Sequence, residues 1–367
     1  MRTNKMKILL WFVLLCYPIC LLRAQKVQCN RQWNLSKRGV PSRNFSGIAY
    51  ISGQRYACVS DKEDGIGYYP FEIVLDSIRG KLLEVKCDSM YTTHFSQVNQ
   101  MSVLTYDAED VVYVPRWGTL FIADEAHQTI SEYQIDGTPT GRSLDVPKWM
   151  GEDAIYSNYG FEALSYSPTQ NLFWTATESS LRVHGTPASS TNPVQNVICL
   201  QSFGEDLAPK GTYAYLMDVP QAEKMGRSYA FGVSAMTALS DGRLLILERE
   251  FQVSKHYMNS CVVVKLYCVN PREAVPLSSS DRDLAQVVKK SLRKELWAEW
   301  KSRFNVLNTR LANYEGMTLG PRLADGRQTL LLISDSQGGM GKGPYRLKDY
   351  LKVLILPHEE GILDTKR

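Results

Sequence analysis

Alternating apolar and polar positions recur five times along the chain in one arrangement. A polar or acidic residue opens an apolar run, a tight turn follows, and a second apolar run ends on a carboxylate. The paired segments are 46–50 with 59–61, 109–113 with 121–125, 161–164 with 174–178, 233–236 with 245–250, and 314–317 with 331–335. Runs of this length, alternating at a period near two and bounded by turn residues, predict β-strands. The intervening turns, Ser52-Gly53-Gln54, Arg116-Trp117-Gly118, 167–171, Ser240-Asp241-Gly242 and Ala324-Asp325-Gly326, supply the glycine or asparagine that tight hairpins need at positive φ. Each pair therefore reads as a β-hairpin. The start of its first strand lies beside the end of its second. That places Glu109 beside Asp124 and Glu125, and Ser234 beside Glu248, with Glu162 and Glu315 in diagonal reach of Glu178 and Asp335.

Successive copies begin 52 to 81 residues apart, which leaves room for two more strands in each interval. Repetition at this period predicts an all-β fold, a β-propeller of four-stranded antiparallel blades around a central channel. Five blades are visible; a sixth, degenerate or closed by the two termini, also fits the length. A propeller closes only when its repeats stay together, so 25–367 is read as one domain. The stretch 276–305 departs in composition and reads as an insertion in an outer loop. Ser278-Ser279-Ser280-Asp281 can cap a helix carrying Leu284, Val287, Val288 and Leu292, and the tail 296–300 reads equally as an outer strand.

The first 24 residues have a basic start (Arg2, Lys5, Lys7), an apolar stretch short for a membrane span, and Leu22-Arg23-Ala24 ahead of Gln25. They read as a secretory signal peptide, with an uncleaved anchor as the alternative. The prediction is an exported protein, periplasmic or extracellular, without an integral span once the signal is removed. Cleavage changes the charge. The whole chain has 42 Lys+Arg against 38 Asp+Glu, but four bases and no acids lie in the first 24 residues, leaving 38 against 38. Nucleic-acid binding therefore has no global electrostatic support. Six cysteines remain, Cys29, Cys58, Cys87, Cys199, Cys261 and Cys268. Export permits disulfides, but Cys261 and Cys268 flank one strand-like run and would stand about 23 Å apart, too far to bridge.

If the hairpins line a channel, their matching ends converge on one mouth. That mouth gathers Asp61, Glu109, Asp124, Glu125, Glu162, Glu178, Glu248, Glu250, Glu315 and Asp335, with Lys62, Arg249 and Lys342 as nearby bases. So many acids in one confined site must protonate, pair with bases or bind a cation. Three readings stay open at this point: ion pairs that stitch blades together, a divalent cation with calcium favoured, and acid–base chemistry. No Gly-x-Ser-x-Gly elbow occurs, which argues against a serine hydrolase. The glycine-rich 338–343 lacks the spacing of a nucleotide-binding loop.

Four stretches resemble, in matching order, the phytase-like propeller family labelled esterase-like activity of phytase. They are Asn158-Tyr159-Gly160-Phe161-Glu162-Ala163-Leu164, the segment 241–249, Asn313-Tyr314-Glu315-Gly316-Met317 and the segment 330–335. The resemblance spans about 44–356 and implies an exported bacterial propeller that hydrolyses phosphoesters or esters. The calcium-dependent propeller phytases carry an Asp-Ala-x-Asp-Asp-Pro signature. Here Asp107-Ala108-Glu109-Asp110 echoes it, but Val111-Val112 follows. Without a dense lysine/arginine set around the acids, phytate itself is disfavoured. The leading expectation is a secreted, divalent-cation-dependent phosphoesterase acting on a small-molecule ester, with calcium as cofactor. Its candidate ligands are Glu109, Glu162, Glu315 and Asp335, with Asp61, Asp124, Glu178 and Glu248 as a weaker set and Arg249 as anion partner. The alternative is a non-catalytic binding propeller whose acids are structural, since fold alone does not fix function.

Overall fold

A computed structural model describes residues 27–61, 63, 65–92, 106–222, 226–278, 280–281 and 283–358. The expected signal peptide, its expected cleavage point before Gln25, and Lys62 lie outside these residues. The fold is a five-bladed β-propeller, and each blade is an antiparallel meander. Blade one comprises Phe45–Ser52, Arg55–Ser60, Gly67–Leu75 and Leu82–Cys87, from the innermost strand outwards, with the short Tyr91–Thr92 also pairing its third strand. Blade two comprises Ala108–Val114, Thr119–Asp124, Thr129–Gln134 and Pro139–Ser143. Blade three comprises Phe161–Ser167, Leu172–Thr177, Val197–Phe203 and Pro209–Leu216. Blade four comprises Ser228–Ala238, Leu244–Val253, Cys261–Val269 and Lys294–Arg303.

Blade five draws on both ends of the described chain. Asn313–Arg322, Gln328–Asp335 and Tyr350–Ile355 supply three strands, and Gln28–Cys29 with Trp33–Asn34 pair along the third. The two termini thus close the fifth blade, and no sixth is formed. Such closure removes the open sheet edge that an unclosed ring would expose. The composition shift after 276 resolves into two parts. A short helix, Leu284–Lys289, is capped by Asp283 rather than by the serine run, and Lys294–Arg303 is the outermost strand of blade four.

The alternating pattern explains the packing. Along Gln328–Asp335, Leu330 and Leu332 enter the core between blades four and five, while Leu331 and Ile333 enter the core between blades five and one. Leu245 and Leu247 enter the same core as Leu330 from the blade-four side, and Leu244 and Ile246 point into the core between blades three and four. A strand buried on both faces reads as a continuous apolar run because successive side chains serve opposite neighbours. Five main apolar clusters fill the five junctions between blades, so the hydrophobic stabilisation runs around the whole ring.

One backbone feature is shared by every blade. In each innermost hairpin the ladder slips by one residue at the same point, leaving one extra residue on the inner strand: Ser46, Glu109, Glu162, Ser234 or Glu315. A β-bulge of this kind bends the strand and re-aims the extra side chain. Just beyond it the inner strands crowd together. A Cβ on Gly47 would stand 2.6 Å from Asp110 Cα, so only glycine fits there. Among the described residues, Cys58, Cys87, Cys199 and Cys261 form no disulfide. Among the described residues, no helix is long and apolar enough to cross a membrane.

Candidate functional site

The bulges open onto a cavity of about 730 Å³ at one end of the channel. Eight carboxylates line it: Asp61, Glu63, Asp107, Glu109, Glu125, Glu162, Glu178 and Glu315. Arg249 is the one cationic side chain in the lining among the described residues, and Tyr106, Tyr159 and Tyr229 add aromatic walls. Glu109, Glu162 and Glu315 arrive on the bulges of blades two, three and five. Glu125 and Glu178 follow directly on the second strands of blades two and three, and Arg249 lies within the second strand of blade four.

The acids divide into two groups. The first surrounds Arg249, which is nearly fully buried at 3% exposure. Its Nη2 lies 2.7 Å from Glu178 Oε1 and 3.5 Å from Glu162 Oε1, and its Nη1 lies 3.3 Å from Glu315 Oε1. Nη1 also donates to Asn313 Oδ1 at 3.1 Å, and Asn313 in turn donates to Glu315 Oε1 at 2.6 Å. Glu178 passes hard against blade four, where a Cβ on Gly232 would lie 2.3 Å from Glu178 Cγ. One guanidinium faces three carboxylates, so the cluster keeps excess negative charge. Burial raises the pKa of Glu162, reinforced by Glu178 and Glu315 and opposed by Arg249. Glu315 is likewise raised by burial and by Asp335, with Arg249 pulling the other way. Burial also raises Glu178, against the same guanidinium. Desolvation weakens the charge on Arg249, but the acids more than restore it and hold its pKa above the ordinary value.

The second group is a trio of carboxylates. Asp107, Glu109 and Glu125 each offer a carboxylate oxygen, and these atoms lie within 4.8 Å of one another. Oxygens at 2.3–2.6 Å from one calcium ion would be separated by up to about 5 Å, so the spacing suits a shared hard cation. An all-carboxylate set is also the donor chemistry of calcium, magnesium or manganese. No hydrogen-bond donor among the described residues reaches the Glu109 carboxylate. Its pKa is raised well above the usual range by burial, then by the charges of Glu162, Asp107, Glu315 and Glu125. Glu125 is raised by burial and held down in part by the Gly160 N–H, which donates to its Oε1 at 2.6 Å. The residues present therefore fit a divalent cation.

Other sequence candidates lie elsewhere. Asp335 is buried beside Glu315, but its Oδ1 accepts the Gln337 N–H at 2.7 Å, which fixes the turn after the strand. Asp124 caps its own turn, accepting from the N–H groups of Asp107 and Ala126 and pairing with His127 Nδ1 at 2.7 Å. Glu248 faces away from the channel, toward the junction of blades three and four. There it accepts the Tyr215 hydroxyl at 2.6 Å and pairs with Lys294 at 2.7 Å. Glu250 accepts the N–H groups of Gln221 and Ala222 away from the mouth. Alternation sends Glu248 and Glu250 to one face of their strand and Arg249 to the other. Asp107 was not among the sequence candidates, although it opens the Asp107-Ala108-Glu109-Asp110 echo. Asp110 itself is structural: its Oδ2 accepts the Leu164 N–H at 2.8 Å and ties blade two to blade three.

Residues 40–337 match the family described as phytase-like, esterase-like activity of phytase. The chain belongs to this family. No curated protein matches it. Among solved structures, it is similar to the endo-arabinase from Bacteroides thetaiotaomicron, at 12% identity over 88% of this chain and 97% of that one, with a TM-score of 0.41. It is also similar to streptogramin B lyase, at 10% identity over 90% of this chain and 98% of that one, with a TM-score of 0.34.

Proposed function

We propose that this phytase-like propeller is an exported ester hydrolase whose channel mouth binds calcium and a small phosphoester. The observation that carries this reading is the convergence of carboxylate oxygens from Asp107, Glu109 and Glu125 within 4.8 Å of one another. These three residues would hold the cation, in place of the wider set that repeat position alone suggests. A bound divalent cation supplies a Lewis acid for the phosphoryl oxygen and lowers the pKa of a bound water. Glu162 lies on the cavity wall next to this trio, and burial with neighbouring acids raises its carboxyl pKa above the usual range. It is the side chain placed to give a proton to a leaving ester oxygen. Arg249 is engaged by Glu162, Glu178, Glu315 and Asn313. Its task is to set the charge of that wall rather than to clasp the substrate.

A second reading has its own support. Asp110, Ser46 and Ser234 use the same crowded ring to bond neighbouring blades, which is what a non-catalytic binding propeller would need. A screen of phosphomonoesters and carboxylesters, with calcium and then after its removal, separates the two. Calcium-dependent turnover abolished by Glu162→Gln supports the hydrolase. A melting temperature raised by calcium with no turnover on any ester leaves the binding propeller. Export is tested by mass spectrometry of the secreted protein, which should begin at Gln25.

A further inference from the structure

We propose that a second pocket, built where the N-terminal strands close blade five, binds a small, multiply charged oxyanion such as a phosphate or sulfate ester. The pocket holds about 320 Å³, the lower end of the range for small-molecule sites. Among the described residues, five cationic side chains line it, Arg31, Lys37, Arg38, Arg310 and Lys348, and no carboxylate does. Outside the signal peptide the chain carries equal numbers of acids and bases, so this is a local segregation of charge. None of the five forms an ion pair with a described residue. The one acid adjacent in sequence, Asp349, is buried and turned away, accepting from the Ser42 hydroxyl at 2.5 Å and the Arg43 N–H at 3.1 Å. Like charges gathered without counter-ions repel one another, and a bound anion relieves that repulsion.

The walls are fixed before any ligand arrives. The Arg38 guanidinium lies over the Trp33 ring at 4.4 Å, a contact that holds a long side chain in place. Asn34 Oδ1 accepts from Ser36 Oγ at 2.6 Å and from the Lys37 N–H at 3.1 Å, setting the turn that carries Lys37 and Arg38. On the opposite wall, the Arg310 N–H donates to Asn308 Oδ1 at 3.0 Å. Gln32, which accepts from the Tyr314 hydroxyl at 3.0 Å, reaches the Arg310 carbonyl. Three planar guanidinium groups suit a tetrahedral oxyanion, which accepts paired N–H bonds. Tyr350 starts the third strand of blade five and Asn313 starts the first, so the pocket opens on the same face as the acidic mouth. It is lined by none of the mouth's residues, and the inference does not depend on the hydrolase reading.

The test is calorimetric titration of the divalent-free protein with pyrophosphate, then with sulfate, at low ionic strength. Chelator must be dialysed away first, because it is itself a polyanion that would occupy a basic pocket. Wild type should bind, and Arg38→Gln with Arg310→Gln should weaken binding at least tenfold while the melting temperature is retained. The double variant Lys81→Gln with Lys289→Gln removes the same charge at exposed sites elsewhere and should bind as wild type. Should the Arg38/Arg310 variant lose stability, Lys37→Gln with Lys348→Gln provides the same readout from the other members of the set. The ratio of pyrophosphate to sulfate affinity identifies which class of ester the site serves. Absence of binding to wild type, or equal losses in the distant control, overturns the proposal.

Discussion

Blades one and four carry serine at the bulge where blades two, three and five carry glutamate. The backbone is the same in all five, and the side chain alone decides what the position does. Ser46 Oγ donates to the Ala108 carbonyl at 2.5 Å, and Ser234 Oγ donates to the Tyr314 carbonyl at 3.0 Å. Both serines spend their polarity on the neighbouring blade. A glutamate reaches past that carbonyl, and Glu109, Glu162 and Glu315 all line the cavity instead. Blade four, which lacks a bulge acid, is also the blade that sends Arg249 into the mouth. The ring is thus asymmetric by composition on a repeated frame. One side holds three acids around a guanidinium, and on the other Asp107, Glu109 and Glu125 converge within 4.8 Å. The difference teaches that repeat position fixes where a residue points, while its neighbours fix what charge it can bear.

The largest test removes the guanidinium. Arg249→Met leaves Glu162, Glu178 and Glu315 buried without their cation, and losing one partner of a buried ion pair typically costs about 3–5 kcal/mol. Urea unfolding of the divalent-free protein near pH 8 should show that loss. The sign of the pH dependence follows from the raised carboxyl pKa values of these residues. The folded state holds protons that the unfolded chain has released, so stability is greatest below the ordinary carboxylate pKa and falls as pH rises above it. The penalty for Arg249→Met should therefore shrink toward pH 5, as protonation of the three acids becomes more favourable. An equal penalty at both pH values would show that packing, rather than charge, makes Arg249 matter.

The next test acts on the other side of the mouth. If Asp107, Glu109 and Glu125 hold calcium, the folded state gains about 2.7 kcal/mol at a hundredfold excess over the dissociation constant. Glu109→Gln should abolish most of that gain, since it removes a charge from the set and keeps its size. In the divalent-free state the same substitution should be neutral or stabilising, because Glu109 is surrounded by other acids. Glu162→Gln should leave the calcium gain in place, being a member of the Arg249 group. Equal losses in the two variants would merge the groups into one site and remove the distinction drawn here.

Much of this architecture is legible in the residues. The five hairpins follow from alternation and turn chemistry, and the predicted turn residues Gly53, Gly118, Asn171, Gly242 and Gly326 all take positive φ. Equivalent position in the repeat was enough to bring Glu109, Glu162 and Glu315 to one cavity. The division of labour inside the cavity was not legible, because it depends on a one-residue slip between strands. That slip is a property of pairing across two segments and leaves no mark in either alone. It turns Glu162 into the cavity, where it meets Arg249 together with Glu178. Alternation along Leu244–Val253 would have sent Glu248 away from the mouth, had the face occupied by Arg249 been known. The closing strands at 28–29 and 33–34 are two residues each, too short for any periodicity to declare itself.

The smallest test asks whether the serine bulges are only structural. Ser234→Ala deletes one hydrogen bond to a neighbouring blade and leaves the mouth's charges untouched. A net hydrogen bond of this kind contributes about 0.5–1.5 kcal/mol, so a modest fall in the denaturation midpoint is expected with an unchanged slope. The calcium gain and its dependence on Glu109 should be unaltered, because Ser234 is outside the cavity lining. Ser46→Ala should behave in the same way, since it too is fully buried against the next blade. If either alanine variant weakened calcium binding by more than tenfold, the serines would be positioning the acids through the blades they fasten. The contrast between structural and functional bulges would then give way to a single ring in which all five positions act together.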